Sequence, residues 1–105
     1  MLRSREPSSI FSKRLKQARL DAGLSQKEMG ILAGLDPFVA STRINRYELG
    51  IHAPDQATAK RLAKTLGVPL AYLYADSDRL ARMIRAFNAL DATEQDKFLK
   101  TIERA

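Results

Sequence analysis

The chain of 105 residues contains no cysteine and a single histidine. The absence of cysteine excludes disulfide bonds, thiolate zinc sites and thiol nucleophiles, and one histidine excludes most histidine-based catalysis. No apolar run approaches the roughly 20 residues of a membrane-spanning helix, and the first residues lack the apolar segment of a signal peptide. We therefore expect a protein that stays in the cytoplasm.

Basic residues outnumber acidic ones: the chain has 18 Lys and Arg and 12 Asp and Glu, which gives a formal net charge of +6. Residues 1–50 carry nine basic and five acidic groups, whereas residues 51–105 carry nine and seven. This excess on a small chain favours a polyanion as partner. A basic stretch is also typical of an ordinary solvated helix face, so charge alone does not decide the function.

Length and periodicity together predict one small domain built of helices. Apolar residues recur at helical spacing, and no segment alternates as a strand would. Helix-capping residues and glycines divide the chain into seven helices. They are expected after Ser8 or Ser9, after Ser25, over 41–49, after Asp55, over 69–74, after Asp76 to Asp78, and after Asp91.

Three regions follow from this pattern: a flexible basic arm over 1–8, a helical unit over 9–75, and a helical extension over 76–105. The extension has more apolar side chains than 30 residues can bury by themselves. Two interpretations remain, which are packing against helix four and the short helix after it, or a dimer interface. The apolar residues are Leu80, Met83, Ile84, Phe87, Leu90, Phe98, Leu99 and Ile102.

Two short helices, a glycine-containing turn and a helix with a basic polar face form the pattern of a helix-turn-helix. Several motifs make it specific. They are Arg14-Leu-Lys-Gln-Ala-Arg19, Gly23-Leu-Ser-Gln26, Leu32-Ala-Gly34, Arg46-Tyr-Glu-Leu-Gly50, Pro54 and Leu62-Ala-Lys-Thr-Leu-Gly-Val68. In these motifs the chain resembles the XRE family of lambda-repressor-like helix-turn-helix proteins. The resemblance implies an all-α, five-helix DNA-binding domain, to which this chain adds two C-terminal helices.

The chain departs from the family in a lengthened turn between helices two and three. Gln26 and Tyr47 are 21 positions apart (47 − 26), and the family resemblance implies one helical turn less. The extra residues lie between Gly34 and Ser41. We expect Pro37, Phe38 and Val39 to pad this loop, with Phe38 packed on the core. The alternative is a loop that approaches the DNA backbone or a partner subunit.

Helix 41–49 offers the candidate base contacts. A helix fits the major groove, where Arg can bind guanine O6 and N7 together, so Arg43 and Arg46 are the leading candidates. Asn45 has the donor and acceptor to pair with adenine, and Ser41 and Thr42 can reach a base edge or a phosphate. The alternative for each of these residues is an ordinary exposed polar side chain that does not contact DNA.

Four further residues are candidate phosphate contacts. Gln26 stands at the start of helix two, where unpaired backbone amides and the helix dipole favour an anion. Lys27 and Lys13 are weaker candidates, and His52 is close in sequence to helix three. Arg3 and Arg5, on the arm, would lie in a groove or in solvent.

The family resemblance also implies that Arg19 and Glu48 pair across helices one and three. We interpret this pair as structural, because it would orient the recognition helix rather than contact a base. Removing one partner should then cost more than removing both.

The sequence thus predicts a sequence-specific transcriptional regulator, repressor-like and of prophage or bacterial type, which binds a palindromic operator as a homodimer. The alternative is an antitoxin whose C-terminal helices bind a toxin and whose helix-turn-helix autoregulates. An enzyme has little support, because the carboxylate pairs Asp76 with Asp78 and Asp91 with Glu94 stand at helix starts, where capping explains them. No nucleotide-binding glycine motif or metal-ligand cluster appears, so we expect no cofactor.

Overall fold

The computed structural model describes residues 9–105, and over that range the chain forms six α-helices and one 3-10 helix without strands. This confirms the all-α fold with two helices added after the helix-turn-helix unit. The predicted basic arm, residues 1–8, lies outside the described residues. The elements are α1 (Ile10–Asp21), α2 (Gln26–Leu32), α3 (Ala40–Glu48), α4 (Gln56–Leu66), the 3-10 helix (Leu70–Tyr74), α5 (Asp78–Asn88) and α6 (Ala92–Glu103).

The helices begin at the caps that the sequence indicates, because side-chain oxygens there accept the backbone N–H groups left unpaired in the first turn. Ser25 and Glu28 form a reciprocal capping box at α2, and Asp91 and Glu94 form another at α6. Helix α3 begins at Ala40, one residue before the predicted start. In the described chain α3 has no side-chain cap.

One apolar core joins the first four α-helices and the 3-10 helix. Each element contributes a side chain with no exposed surface, so the core fixes all five relative to one another. These side chains are Leu15, Met29, Ile44, Leu62 and Leu73, in chain order.

Helices α2 and α3 approach each other tightly at a glycine. A Cβ atom built on Gly30 would lie 2.7 Å from the Cβ of Ala40 and 3.1 Å from its Cα. The Gly30 carbonyl also accepts the N–H of Leu35 at 2.9 Å. The angle between the two helices therefore requires a residue without a side chain at position 30.

The turn between α2 and α3 differs from our expectation at Phe38, whose side chain is 96% exposed. The prediction that Phe38 packs on the core is wrong. Leu35 and Ala40, on either side of the turn, are buried and take the core positions instead. Asp36 Oδ1 accepts the Phe38 N–H at 2.8 Å, and the Asp36 carbonyl accepts the Val39 N–H at 3.0 Å. These bonds fix the turn with Phe38 outside.

The C-terminal extension is joined to the core unit by arginines. The Arg14 side chain, 7% exposed, donates from Nε to the Ala75 carbonyl at 3.0 Å and from Nη1 to Asp78 Oδ1 at 2.8 Å. Hydrogen bonds from Arg14 and then Lys13 hold the pKa of Asp78 below its usual value. On the neighbouring side, Arg85 Nη1 lies 2.8 Å from Asp21 Oδ2.

The apolar residues of the extension are only partly covered. In α5, Ala81 is buried and Ile84 packs partly against the core. All of α6 lies in the described range, and none of its residues is buried. Helix α6 contacts α5 through the rings of Phe87 and Phe98, whose centroids are 6.1 Å apart. Packing against the core unit thus accounts for one side of α5 and leaves α6 exposed.

Candidate nucleic-acid interface

Helix α3 has one buried and one exposed face. Ile44 and Tyr47 are buried in the core, whereas Thr42, Arg43 and Arg46 are exposed. Residues three and four apart share a helix face, so the two arginines and the threonine stand next to one another. The sequence prediction of a basic polar face opposite a core face therefore agrees with the structure.

The exposed face of α3 forms one wall of a shallow hollow of about 360 Å³. His52, in the segment after α3, lies on the same hollow, so the fold brings this predicted phosphate contact beside the predicted base contacts. The hollow is both basic and open to solvent. Its lining residues are Val39, Thr42, Arg43, Arg46, Tyr47, His52 and Ala53.

Gln26 and Asn45 meet where the start of α2 faces α3. The Gln26 Nε2 donates to Asn45 Oδ1 at 3.2 Å and to Glu48 Oε1 at 3.1 Å. The side-chain N–H groups of Gln26 therefore bond within the protein, although sequence reasoning assigned this side chain to a phosphate. Ser41 is exposed in the first turn of α3, and Lys27 is exposed beside Gln26.

An arginine fork holds the end of α3 against α1. Arg19 Nε lies 2.6 Å from Glu48 Oε2, and Arg19 Nη2 donates to Glu48 Oε1 at 3.1 Å. Arg19 Nη1 also donates to the Leu24 carbonyl at 3.0 Å. The two side chains are 11% and 3% exposed, so the pair is nearly removed from water. Such bidentate pairs are strong and directional.

Lys13 lies away from α3, at the junction of α1 and α5. Its Nζ is 3.4 Å from Asp78 Oδ1 while the side chain remains largely exposed. The structure therefore places Lys13 beside Arg14, not beside the other predicted phosphate contacts. Sequence reasoning missed the structural role of Arg14, although Arg14 falls at the core spacing of Phe11 and Ala18.

Metal-ligand clusters and membrane-spanning helices are both absent from the part of the chain that the structure describes. Among residues 9–105, no group of three or more His, Asp or Glu side chains is placed to bind a metal ion. None of the helices in that range is sufficiently long and apolar to cross a membrane.

The comparisons with known proteins agree on one family. The Helix-turn-helix family model matches residues 15–73. The chain is 32% identical over 101 residues to the cryptic phage CTXphi transcriptional repressor RstR of Vibrio cholerae, covering 90% of this chain and 86% of the relative. The solved structure of the transcriptional regulator BswR superposes with a TM-score of 0.84 at 42% identity, covering 90% of this chain and 93% of that one. These relatives are regulators of transcription, and the antitoxin alternative is not favoured.

The matched residues 15–73 include the second half of α1, all of α2 to α4 and most of the 3-10 helix. Each of the two relatives covers 90% of this chain, which is more than the family model covers. The match therefore includes the basic face of α3 and the Arg19 fork that holds it. The chain belongs to the XRE family of helix-turn-helix proteins, a family of DNA-binding transcriptional regulators.

Proposed function

We propose that the protein is a sequence-specific repressor that reads the major groove of duplex DNA with α3. The observation that carries this proposal is the exposed row of Thr42, Arg43 and Arg46 on a helix whose other face is anchored in the core. Arginine matches guanine O6 and N7, and the hydroxyl can bond to either a base or a phosphate. The repressor and the regulator among its relatives support this function. Such a protein would act on DNA in the cytoplasm.

The remaining polar residues around α3 complete the proposed interface. We assign Ser41 and Asn45 to base edges at the side of α3 that faces α2, where Gln26 bonds to Asn45. Lys27, on α2, and His52, in the segment after α3, are exposed and are assigned to phosphates. Phosphate contacts of this kind position a helix without carrying sequence information.

The same proposal includes a homodimer that binds a palindromic operator, because a symmetric dimer places two recognition helices about one turn of DNA apart. The support is an apolar groove of about 430 Å³ between α5 and α6. Leu99 and Ile102, which line the groove, are 40% and 44% exposed in the described chain. A second copy of this surface would cover them.

Replacing Arg43 or Arg46 with alanine should relax discrimination between operator sequences by about 1–3 kcal/mol each. The operator is first recovered by selecting bound sequences from a random duplex pool. Binding titrations against that operator and against single-base variants then give the discrimination of each protein. Arg79→Ala, an exposed arginine on α5, is the matched control and should keep full discrimination. The reading helix is misassigned if both α3 variants discriminate as well as the wild type.

Replacing Leu99 and Ile102 together with serine should convert the dimer into a monomer. Each exposed leucine or isoleucine that a partner would cover contributes about 1–2 kcal/mol, because it is already half-buried in the monomer. Sedimentation velocity at micromolar concentration measures the oligomeric state, and circular dichroism checks that the helices persist. Leu20→Ser, at an exposed site on α1, is the control and should stay dimeric. A dimer that survives the double replacement places the interface elsewhere.

A further inference from the structure

Phe38 is presented to solvent by a turn that is itself held in place. It is the most exposed of the large apolar side chains in the described range. Asp36 binds the N–H groups of Phe38 and Val39, and the Val39 carbonyl accepts the Arg43 N–H at 2.8 Å. The turn is thus continuous with the first turn of α3. These bonds fix the backbone at Phe38, so the turn holds its side chain in solvent beside the start of α3.

The position of Phe38 extends the basic surface of α3 with an apolar edge. Val39, the next residue, is exposed and lines the hollow with Thr42, Arg43 and Arg46. In helix-turn-helix proteins the first residues of the recognition helix approach the base edges. Phe38 therefore stands at the end of α3 that enters the groove first.

The size of this apolar edge argues against a protein partner. A stable protein interface covers roughly 800 Å² on each partner, whereas one phenylalanine offers about 150–250 Å². Further along the exposed face of α3, Arg43 and Arg46 are cationic, which suits a phosphate backbone better than an apolar protein face. The surface around Phe38 has the chemistry of a groove contact.

We propose that Phe38 is a further specificity-determining residue, which packs against the C5-methyl group of a thymine in the operator half-site. This inference rests on the proposed function. Thymine presents the one apolar group among the base edges of the major groove, and phenylalanine is one of the residues that contact it. Arg43 and Arg46 can recognise guanine, and Phe38 adds recognition of thymine beyond the start of α3.

The test compares two proteins on one operator and on a series of its single-site deoxyuridine variants. Wild-type protein and Phe38→Ala are titrated against the selected operator and against the same operator with deoxyuridine at each thymine in turn. Deoxyuridine lacks the methyl group and keeps every hydrogen bond. At one thymine the wild type should lose about three- to fivefold in affinity, as one methyl group is worth about 0.8 kcal/mol. Phe38→Ala should bind the normal operator about five- to tenfold more weakly and be insensitive to that deoxyuridine.

The controls separate the possible outcomes. Leu32→Ala truncates another highly exposed side chain, which lies with Arg61 and Lys64 in the crevice between α2 and α4, and should change neither titration. If Phe38→Ala weakens every sequence equally and still senses each deoxyuridine, Phe38 contacts the backbone and the inference is overturned. It is also overturned if Phe38→Ala binds as the wild type does.

The result also distinguishes this inference from the proposed function on which it rests. If Arg43→Ala relaxes discrimination while Phe38→Ala does not alter binding, the proposed function stands and the role of Phe38 falls. If no sequence is enriched from the random pool, the proposed function fails first. In that case the inference about Phe38 fails as well, because there is no operator half-site whose thymine Phe38 could recognise.

Discussion

Replacing Glu48 with alanine should lower the free energy of unfolding by about 3–5 kcal/mol, because it leaves the Arg19 guanidinium nearly buried without its partner. Arg19 and Glu48 share two hydrogen bonds and are almost fully removed from water. The Gln26 amide, which also donates to Glu48, loses an acceptor in the same variant. Urea denaturation followed by circular dichroism measures the loss.

A double-mutant cycle with Arg19→Met then separates the interaction energy of the ion pair from the cost of leaving one charge buried without a partner. The double variant, with Glu48→Ala and Arg19→Met together, should be more stable than Glu48→Ala alone, since no charge is left buried. Asp21 and Arg85 form the matched control, because their side chains are 41% and 40% exposed. Asp21→Ala should therefore cost no more than about 1 kcal/mol. Equal losses at Glu48 and Asp21 would contradict the interpretation that burial makes the first pair important.

Replacing Gly30 with valine should destabilise the protein by about 3 kcal/mol, at the upper end of the cost of overpacking. The added Cβ meets Ala40 at a distance of 2.7 Å, and the atoms behind that contact are backbone. No flexible side chain can move aside, so α3 must shift relative to α2. Thermal and urea unfolding measure the stability, and an operator titration measures the displacement of the reading surface.

The partner residue supplies the control for Gly30. Ala40→Gly removes the nearest atom, so Gly30→Ala should cost less in an Ala40→Gly background than in the wild type. Ala57→Val, at an exposed position of α4, tests helix propensity alone and should cost about 0.5 kcal/mol. If Gly30→Val is as mild as Ala57→Val, the close approach of the two helices does not limit stability.

The sequence predicted most of the fold because the signals that place helices are local. Ser25 and Asp91 begin their helices as capping residues in the structure. Arg14 shows the limit of such reasoning. Its position on α1 is compatible with the core face, but the sequence analysis assigned it no structural role, because its acceptors, Ala75 and Asp78, are more than 60 residues away. No local pattern indicates which distant carboxylate will pair with a buried arginine or which carbonyl will accept its second hydrogen bond.

The candidate site was predictable to the same extent. The polar face of α3 follows from helical periodicity, so the exposure of Arg43 and Arg46 could be predicted from the sequence. Phe38 could not, because its environment depends on which residue of the turn fills the core. Leu35 and Ala40 are both apolar neighbours that compete for that space. The competition is decided by the three-dimensional approach of α2 and α3, which composition and periodicity do not encode.

The arginine that joins the two parts of the molecule has a consequence for spacing along DNA. Arg14 bonds the carbonyl at the end of the 3-10 helix and the first residue of α5, so the extension leaves the core unit at one angle. In the proposed dimer, that angle and the length of α5 set how far apart the two reading helices stand. Arg14 would then fix the distance between the two reading helices. The number of base pairs between half-sites would then depend on Arg14, a nearly buried residue of α1.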